Sequence, residues 1–307
     1  MTEITAGLVK ELREKSGAGM MDCKKALVEC KGIFEDAVDW LRKKGLSAAA
    51  KKSGREAAEG LIAFAVEGNK AAIIELNAET DFVARNDKFQ ALARNIAKVA
   101  LKTHQDVEQL KEAAYPEGSQ TVSMAITDHI AIIGENMNLR RVGYLSVEHG
   151  VIASYMHNAI SDGLGKIGVL LALESSGDKL KLLELGKKIA MHIAAARPES
   201  LDTASVSAEA LEREKQIFSE QARNSGKPES IIEKMVEGRV KKYYQEIVLL
   251  EQIFVMDNKT QITQVLVDAA KEIGAPVSIK GFLRYELGEG IEKTKSDFAA
   301  EVASMTN

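Results

Sequence analysis

Apolar residues spaced at threes and fours open the chain. Leu8, Val9 and Leu12 form one stripe before Ser16-Gly17; Met20, Cys23, Ala26, Leu27 and Cys30 form a second before Gly32; Phe34, Ala37, Val38 and Leu41 form a third before Gly45. That period is helical, and glycine at each end is what a helix C-terminus prefers. The pattern predicts three short helices, a unit too small to bury much surface and suited to docking. From Leu61 the period changes to two. LIAFAV, a turn at Glu67-Gly68-Asn69-Lys70 and then AAIIELNAE predict a β-hairpin, followed by a helix from about Asn86 to Lys102 with Phe89, Leu92, Ile96 and Val99 on one side.

Near residue 152 the same order recurs: IASYMH, a loop through Gly163 and Gly165, IGVLLALE, then a helix from Lys179 to Ala196. A hairpin plus a helix, written twice, predicts a duplicated α+β unit. Helical pattern lies between the copies around residues 107–136, and NLRRVGYLSVE is expected as the first strand of the second copy. Thr260 to Ile273 predicts another helix, and APVSIKGFLRYEL alternates like a strand. Residues after Arg197 depart from both copies. SAEALEREKQIFSEQARN and PESIIEKMVEGRVKKYYQEIVLLEQ predict two helices joined at Asn224-Ser225-Gly226-Lys227-Pro228, with Pro228 at a first helical position. Ile232, Val236, Val240, Tyr243, Ile247 and Leu250 recur along the second at threes and fours, so the projecting helical hairpin is a candidate for self-association.

Composition narrows the function. The 307 residues carry 41 basic and 45 acidic side chains, and 45% are hydrophobic, 28% charged and 5% aromatic. That make-up excludes disordered and collagenous chains, and the length suggests about two compact units. The longest strand-like apolar stretch, Ile167 to Leu173, is about a third of what a membrane span needs. The start, MTEITAGLVKELREK, lacks the basic end and apolar block of a secretory signal, so a cytoplasmic location and no membrane partner are expected. Cys23 and Cys30 lie about 10 Å apart on one helix face, beyond disulfide reach. Residues 42–59, RKKGLSAAAKKSGREAAE, place six basic side chains ahead of Glu56. No aromatic lies between Trp40 and Phe64 to stack a base, so a solvated helical linker is expected there rather than a nucleic-acid site.

Signals for catalysis are sparse. His104, His129, His149, His157 and His192 include no HExxH and no close pair, so no metal is expected. Gly163, Gly165 and Gly168 spell GxGxxG, the loop on which a dinucleotide-dependent enzyme would rest. Such a site needs a helix after the loop, and VLLALE is a strand; a hairpin loop is expected instead, with no cofactor. The GK pairs at Gly165, Gly186 and Gly226 have Ile160, Lys181 and Gln221 where a phosphate loop needs its first glycine.

Two segments carry more information. In LREKSGAGMMDCKKAL, residues 12–27, Met20 and Met21 are neighbours that point about 100° apart on a helix; either both fill the core of a small unit or at least one is exposed to a partner. In ETDFVARN, residues 79–86, Phe82 either plugs the core between a strand and a helix or stands out on a loop beside Asp81. Both segments together resemble the signatures of the elongation factor Ts family, and the likeness continues through IAMHIAAARPE, SGKPESIIEKMVEGR and FLRYELGEGIEK. The resemblance implies a protein that does no covalent chemistry and exchanges guanine nucleotide on elongation factor Tu. It also implies a helical docking module similar to ubiquitin-associated domains at 1–45, a basic linker at 46–59, core units at 60–137 and at 138–197 plus 251–288, a helical dimerisation insert at 198–250 and a C-terminal module at 289–307. Thr80, Asp81, Phe82 and Val83 would enter the partner's GTPase domain near its magnesium site. Arg13, Met20 and Met21 would touch the same domain, and His157, Val255 and Met256 match family positions linked to partner binding.

Overall fold

A computed structural model describes residues 4–103, 106–116, 120–224 and 228–292. Three helices come first: α1 (Ala6–Ser16), α2 (Met20–Glu29) and α3 (Phe34–Lys52). Val9 and Leu12 of α1 pack with Cys23, Ala26 and Leu27 of α2 and Ala37 of α3 in a small core of their own. Gly17 ends α1 in the left-handed conformation, as its position predicts. Gly45 does not end α3. The helix runs on through the expected linker, so the boundary expected at 45/46 falls inside one continuous helix. Gly45 is buried because α3 lies close upon the later helix α6 (Val122–Ile133): a Cβ added there would stand 3.3 Å from the Cβ of Ala131. The residue that marks a helix stop in sequence is here the one that lets two helices touch.

The hairpin consists of β1 (Glu59–Glu67) and β2 (Lys70–Ala78), antiparallel in the register Leu61↔Leu76 and Ala63↔Ile74. Helices α4 (Asp87–Thr103), α5 (Val107–Glu112) and α6 follow, and then β3 (Met137–Ser146). Expected to open the second copy, β3 instead pairs with β2 and gives a four-stranded sheet in the order β3-β2-β1-β5, where β5 is the short strand Leu164–Gly165. The second sheet is built from β4 (Gly150–His157), β6 (Ile167–Glu174) and β7 (Ser278–Glu286) in the order β4-β6-β7, all antiparallel. Helices α7 (Lys179–Ala196) and α10 (Ile262–Ile273) pack on it. The insert is the pair α8 (Ala208–Arg223) and α9 (Glu229–Ile247), with Pro228 capping α9 from outside rather than opening it. The mixed helices and antiparallel sheets are an α+β fold.

Strand alternation sorts the core into three layers of side chains. On β1 and β2, Leu61, Ala63, Ala72, Ile74 and Leu76 face α4 and α6. Ile62, Ala71 and Ile73 face the second sheet and meet Ile152, Leu170 and Ala172. Val169, Leu171 and Leu173 of β6 face α7 and α10. Both sheets are therefore buried on both faces, which is why their strands read as nearly unbroken apolar runs. One charged side chain interrupts the middle layer. Glu75, wholly buried, accepts from Arg140 Nη1 at 3.0 Å, from the backbone N–H of Gly288 at 2.8 Å and from Arg141 Nε. Arg141 also lies over the Tyr285 ring at 4.2 Å and donates to the Glu286 carbonyl. A buried carboxylate is tolerated only when paired in this way, and here the pairing fastens the end of β7 to the first sheet.

Candidate functional site

The expected site centres on residues 79–86, the connection from β2 to α4. Its near end is pinned from the α6–β3 junction. Gly134, left-handed at φ 89°, stops α6 and turns the chain so that Glu135 reaches back. The backbone N–H of Thr80 donates to Glu135 Oε2 at 2.9 Å, and the Thr80 hydroxyl donates to Oε1 at 2.7 Å. Beside it, the Asn136 N–H donates to Glu79 Oε1 at 2.6 Å, Asn136 Nδ2 donates to the Arg55 carbonyl at 2.7 Å, and Arg55 Nη1 lies 3.4 Å from Glu79 Oε2. The far end is pinned as well. Val83 and Ala84 are buried in a single 3-10 turn, and the Asn86 side chain caps α4 by accepting from the N–H of Lys88 at 2.9 Å.

Between these anchors Asp81 and Phe82 are exposed, Phe82 to 79%. Phe82 is thus not a plug; Val83 and Ala84 fill the space beneath it. Leaving a phenylalanine in water forgoes the roughly 1.5–3 kcal/mol that burial would contribute. A ring held out on a braced connector is a feature of binding surfaces.

Met20 and Met21 open α2 and are 55% and 76% exposed, while Cys23 and Leu27 on the opposite side fill the module's core. Core filling by both methionines is thereby excluded. Arg13 is exposed on α1. A Cβ on Gly17 would stand 2.9 Å from Ile132 Cδ1 and 3.7 Å from Lys88 Nζ. The α1–α2 turn therefore rests against the end of α6 and the start of α4, the two elements that flank the 79–86 connection. Met20 and Met21 follow that turn directly in the chain.

His157 lies on the second sheet, and Val255 and Met256 lie in the turn ahead of α10. His157 ends β4, exposed, with Nδ1 3.1 Å from the Tyr155 hydroxyl. Met256 is 42% exposed in the turn ahead of α10. Val255 donates its N–H to His192 Nδ1 at 3.3 Å, which leaves the His192 proton on Nε2, donated to Gln252 Oε1 at 2.9 Å. Burial lowers the His192 pKa below the ordinary 6.5, against the opposing effect of the Gln252 hydrogen bond. Among the described residues no hydrogen bond, ion pair or ring contact joins His157, Val255 or Met256 to residues 80–83.

Gly163, Gly165 and Gly168 serve packing. No helix follows them; β5 (Leu164–Gly165) bridges to β1, and β6 comes next. A Cβ on Gly165 would meet Met156 at 2.7 Å, and one on Gly168 would meet Ile62 at 2.7 Å, so these glycines allow the two sheets to close. Among the described residues no group of three or more His, Cys, Asp or Glu side chains is placed to hold a metal ion, and no helix is long and apolar enough to cross a membrane. The brace of Arg55, Glu79, Glu135 and Asn136 is not foreseeable from motif or period; a faint cue is the acid directly after a helix-ending glycine.

Comparison with known proteins agrees with the resemblance. The family model described as Elongation factor TS matches residues 79–289. The chain is 60% identical over 305 residues to "Elongation factor Ts" of Rhodospirillum centenum, and 60% identical over 306 residues to that of Rhodospirillum rubrum, in each case covering 99% of both chains. "Elongation factor Ts" of Rhizobium rhizogenes is 57% identical over 305 residues, again with 99% of both chains covered. The matched region contains residues 79–86, the strands β3 to β7 and the helical insert. The chain belongs to the elongation factor Ts family of translation elongation factors.

Proposed function

We propose that this chain is the guanine-nucleotide exchange factor of elongation factor Tu. Asp81 and Phe82, framed by Thr80 and Val83, enter the GTPase domain beside the nucleotide phosphates and their magnesium ion, while Arg13, Met20 and Met21 hold the same domain from the helical module. His157, Val255 and Met256 would contact a second domain. The single observation that carries this reading is the exposed Phe82 on a connection braced at both ends.

No bond is made or broken by such a factor. A GTPase holds its nucleotide through phosphate contacts and a bridging magnesium ion, and release is slow for that reason. A protein that binds the empty GTPase better than the loaded one weakens nucleotide binding by the same factor, since linkage is reciprocal. GTP then enters because it is supplied. A ten-thousandfold shift needs roughly 5.5 kcal/mol of differential binding, more than one buried phenylalanine provides. Contacts from the helical module and the second sheet must supply the rest, and the packing of the α1–α2 turn, which leads into Met20 and Met21, against Ile132 and near Lys88 supports the module and Phe82 acting together.

The test is capture of elongation factor Tu by the immobilised chain with and without excess GDP. Binding that GDP competes away, with faster release of a fluorescent GDP from the GTPase, is expected; binding indifferent to GDP with unchanged release contradicts the proposal. Self-association through α8 and α9, whose Ile217 and Ile231 are exposed, belongs to the same proposal and is read by sedimentation of the free chain.

A further inference from the structure

We infer that Glu135 is a positioning residue for the Phe82 connection, an inference that rests on the exchange reading above. The last backbone pair between β2 and β3 is Ala78↔Met137. Continued by one step and then another, that antiparallel register would oppose residue 79 to 136 and residue 80 to 135. Those are the pairs that touch, yet the bonds come from carboxylates: Glu79 accepts from the Asn136 N–H, and Glu135 accepts from the Thr80 N–H and hydroxyl. Two side chains thus extend the sheet by two rungs after the backbones have parted.

The extension has a mechanical consequence. Thr80 is two residues from Phe82, and both Glu135 oxygens are engaged there. A ring pressed into a partner meets resistance that would otherwise be taken up by rotation about the backbone of residues 79–81. The same knot reaches the helical module, since Asn136 also holds the Arg55 carbonyl just past the end of α3, and Arg55 pairs with Glu79. Ring, module and α6 therefore share one fixed base. Preorganisation of this sort raises the yield of a contact without adding a contact.

The experiment measures GDP release from elongation factor Tu at saturating chain concentration, for wild type, Glu135→Ala, Glu135→Gln, Phe82→Ala and the double variant Glu135→Ala/Phe82→Ala. Glu135→Ala is expected to lower the maximal rate about tenfold, about 1.4 kcal/mol, near the low end for a hydrogen bond to a charged group. The half-saturating concentration is expected to change little. Glu135→Gln is expected to recover most of the rate, because its amide oxygen can accept from the Thr80 N–H while its NH2 donates to the Thr80 hydroxyl oxygen. In the Phe82→Ala background Glu135→Ala is expected to change the rate less than about twofold, as for residues acting through one another. On the free chain, Glu135→Ala is expected to speed hydrogen exchange of the Thr80 amide about tenfold. An active wild type together with a Glu135→Ala rate equal to it, or reduced equally with and without Phe82, overturns this inference alone. A wild type that leaves GDP release unchanged overturns the exchange reading itself. Should Glu135→Ala fail to fold, Glu135→Asp, one methylene too short to reach both donors, takes its place: a rate equal to that of Glu135→Gln overturns the inference, and a clearly lower rate supports it.

Discussion

The two hairpin-plus-helix units differ at the connection from hairpin to helix. In the second unit, residues 175–178 pass from β6 to α7 in a tight turn. Ser175 is buried, Asp178 caps the helix by accepting from the N–H of Leu180 at 2.8 Å, and Gly177 is pressed against the end of α10, where an added Cβ would stand 2.4 Å from Ile273 Cγ2 and 2.8 Å from its carbonyl oxygen. In the first unit the equivalent stretch is longer, is braced by Glu135 and Asn136, and holds a phenylalanine in water. One architecture serves two purposes. The shorter connection carries a helix cap and a tightly packed glycine; the longer one is braced and presents an exposed ring.

That contrast can be broken at the scaffold or at the connections. The largest expected effect on folding is at the clasp between the sheets. Glu75→Ala leaves Arg140 and Arg141 without their buried carboxylate and should cost about 3 kcal/mol, the low end for a broken buried pair, because both arginines keep some contact with water; urea unfolding measures it. Next comes Gly177→Ala, expected to cost about 1–2 kcal/mol by overpacking against Ile273, while Phe82→Ala should leave the melting temperature unchanged. Equal melting shifts at the two connections would remove the distinction between them.

The smallest effect concerns pH and sharpens the second unit. His192 has its folded pKa lowered by burial, so the unfolded chain takes up the proton more readily. The stability owed to the neutral ring is therefore complete above the ordinary value of 6.5 and declines as pH falls below it. His129, also lowered by burial, adds to the same decline. Unfolding at pH 7.5 and pH 5.5 should show a drop in wild type that is smaller in His192→Gln, since among the described histidines His129 alone then has a lowered pKa, and the raised pKa of its neighbour Asp128 opposes its effect in both proteins. An undiminished drop would take His192 out of the account of the Val255–Met256 turn.

Much of the fold is legible in the sequence where one period dominates. The hairpin turn at residues 67–70 and both edges of α7 follow from alternation and helical spacing. Gly45 misleads because glycine serves both as a helix stop and as a site of close helix contact, and only the partner Ala131 decides which. The placement of β3 misleads because nothing within a strand states its neighbour; β3 is set by its pairing with β2 across the intervening helices. At the site, Phe82 stands out through residue type and position between elements, but whether it is buried or exposed depends on Val83 and Ala84 filling the space first. The Thr80–Glu135 bracket spans 55 residues through side chains, and no local pattern encodes it.

The most direct test of the central claim is the rate of fluorescent GDP release from elongation factor Tu at saturating chain concentration, wild type against Phe82→Ala, with the fold of both checked by melting. The account predicts fast release with wild type and, if most of the ring's burial energy of about 1.5–3 kcal/mol is differential, a loss of up to about a hundredfold in a variant that melts unchanged. Equal release rates from the two proteins would contradict it.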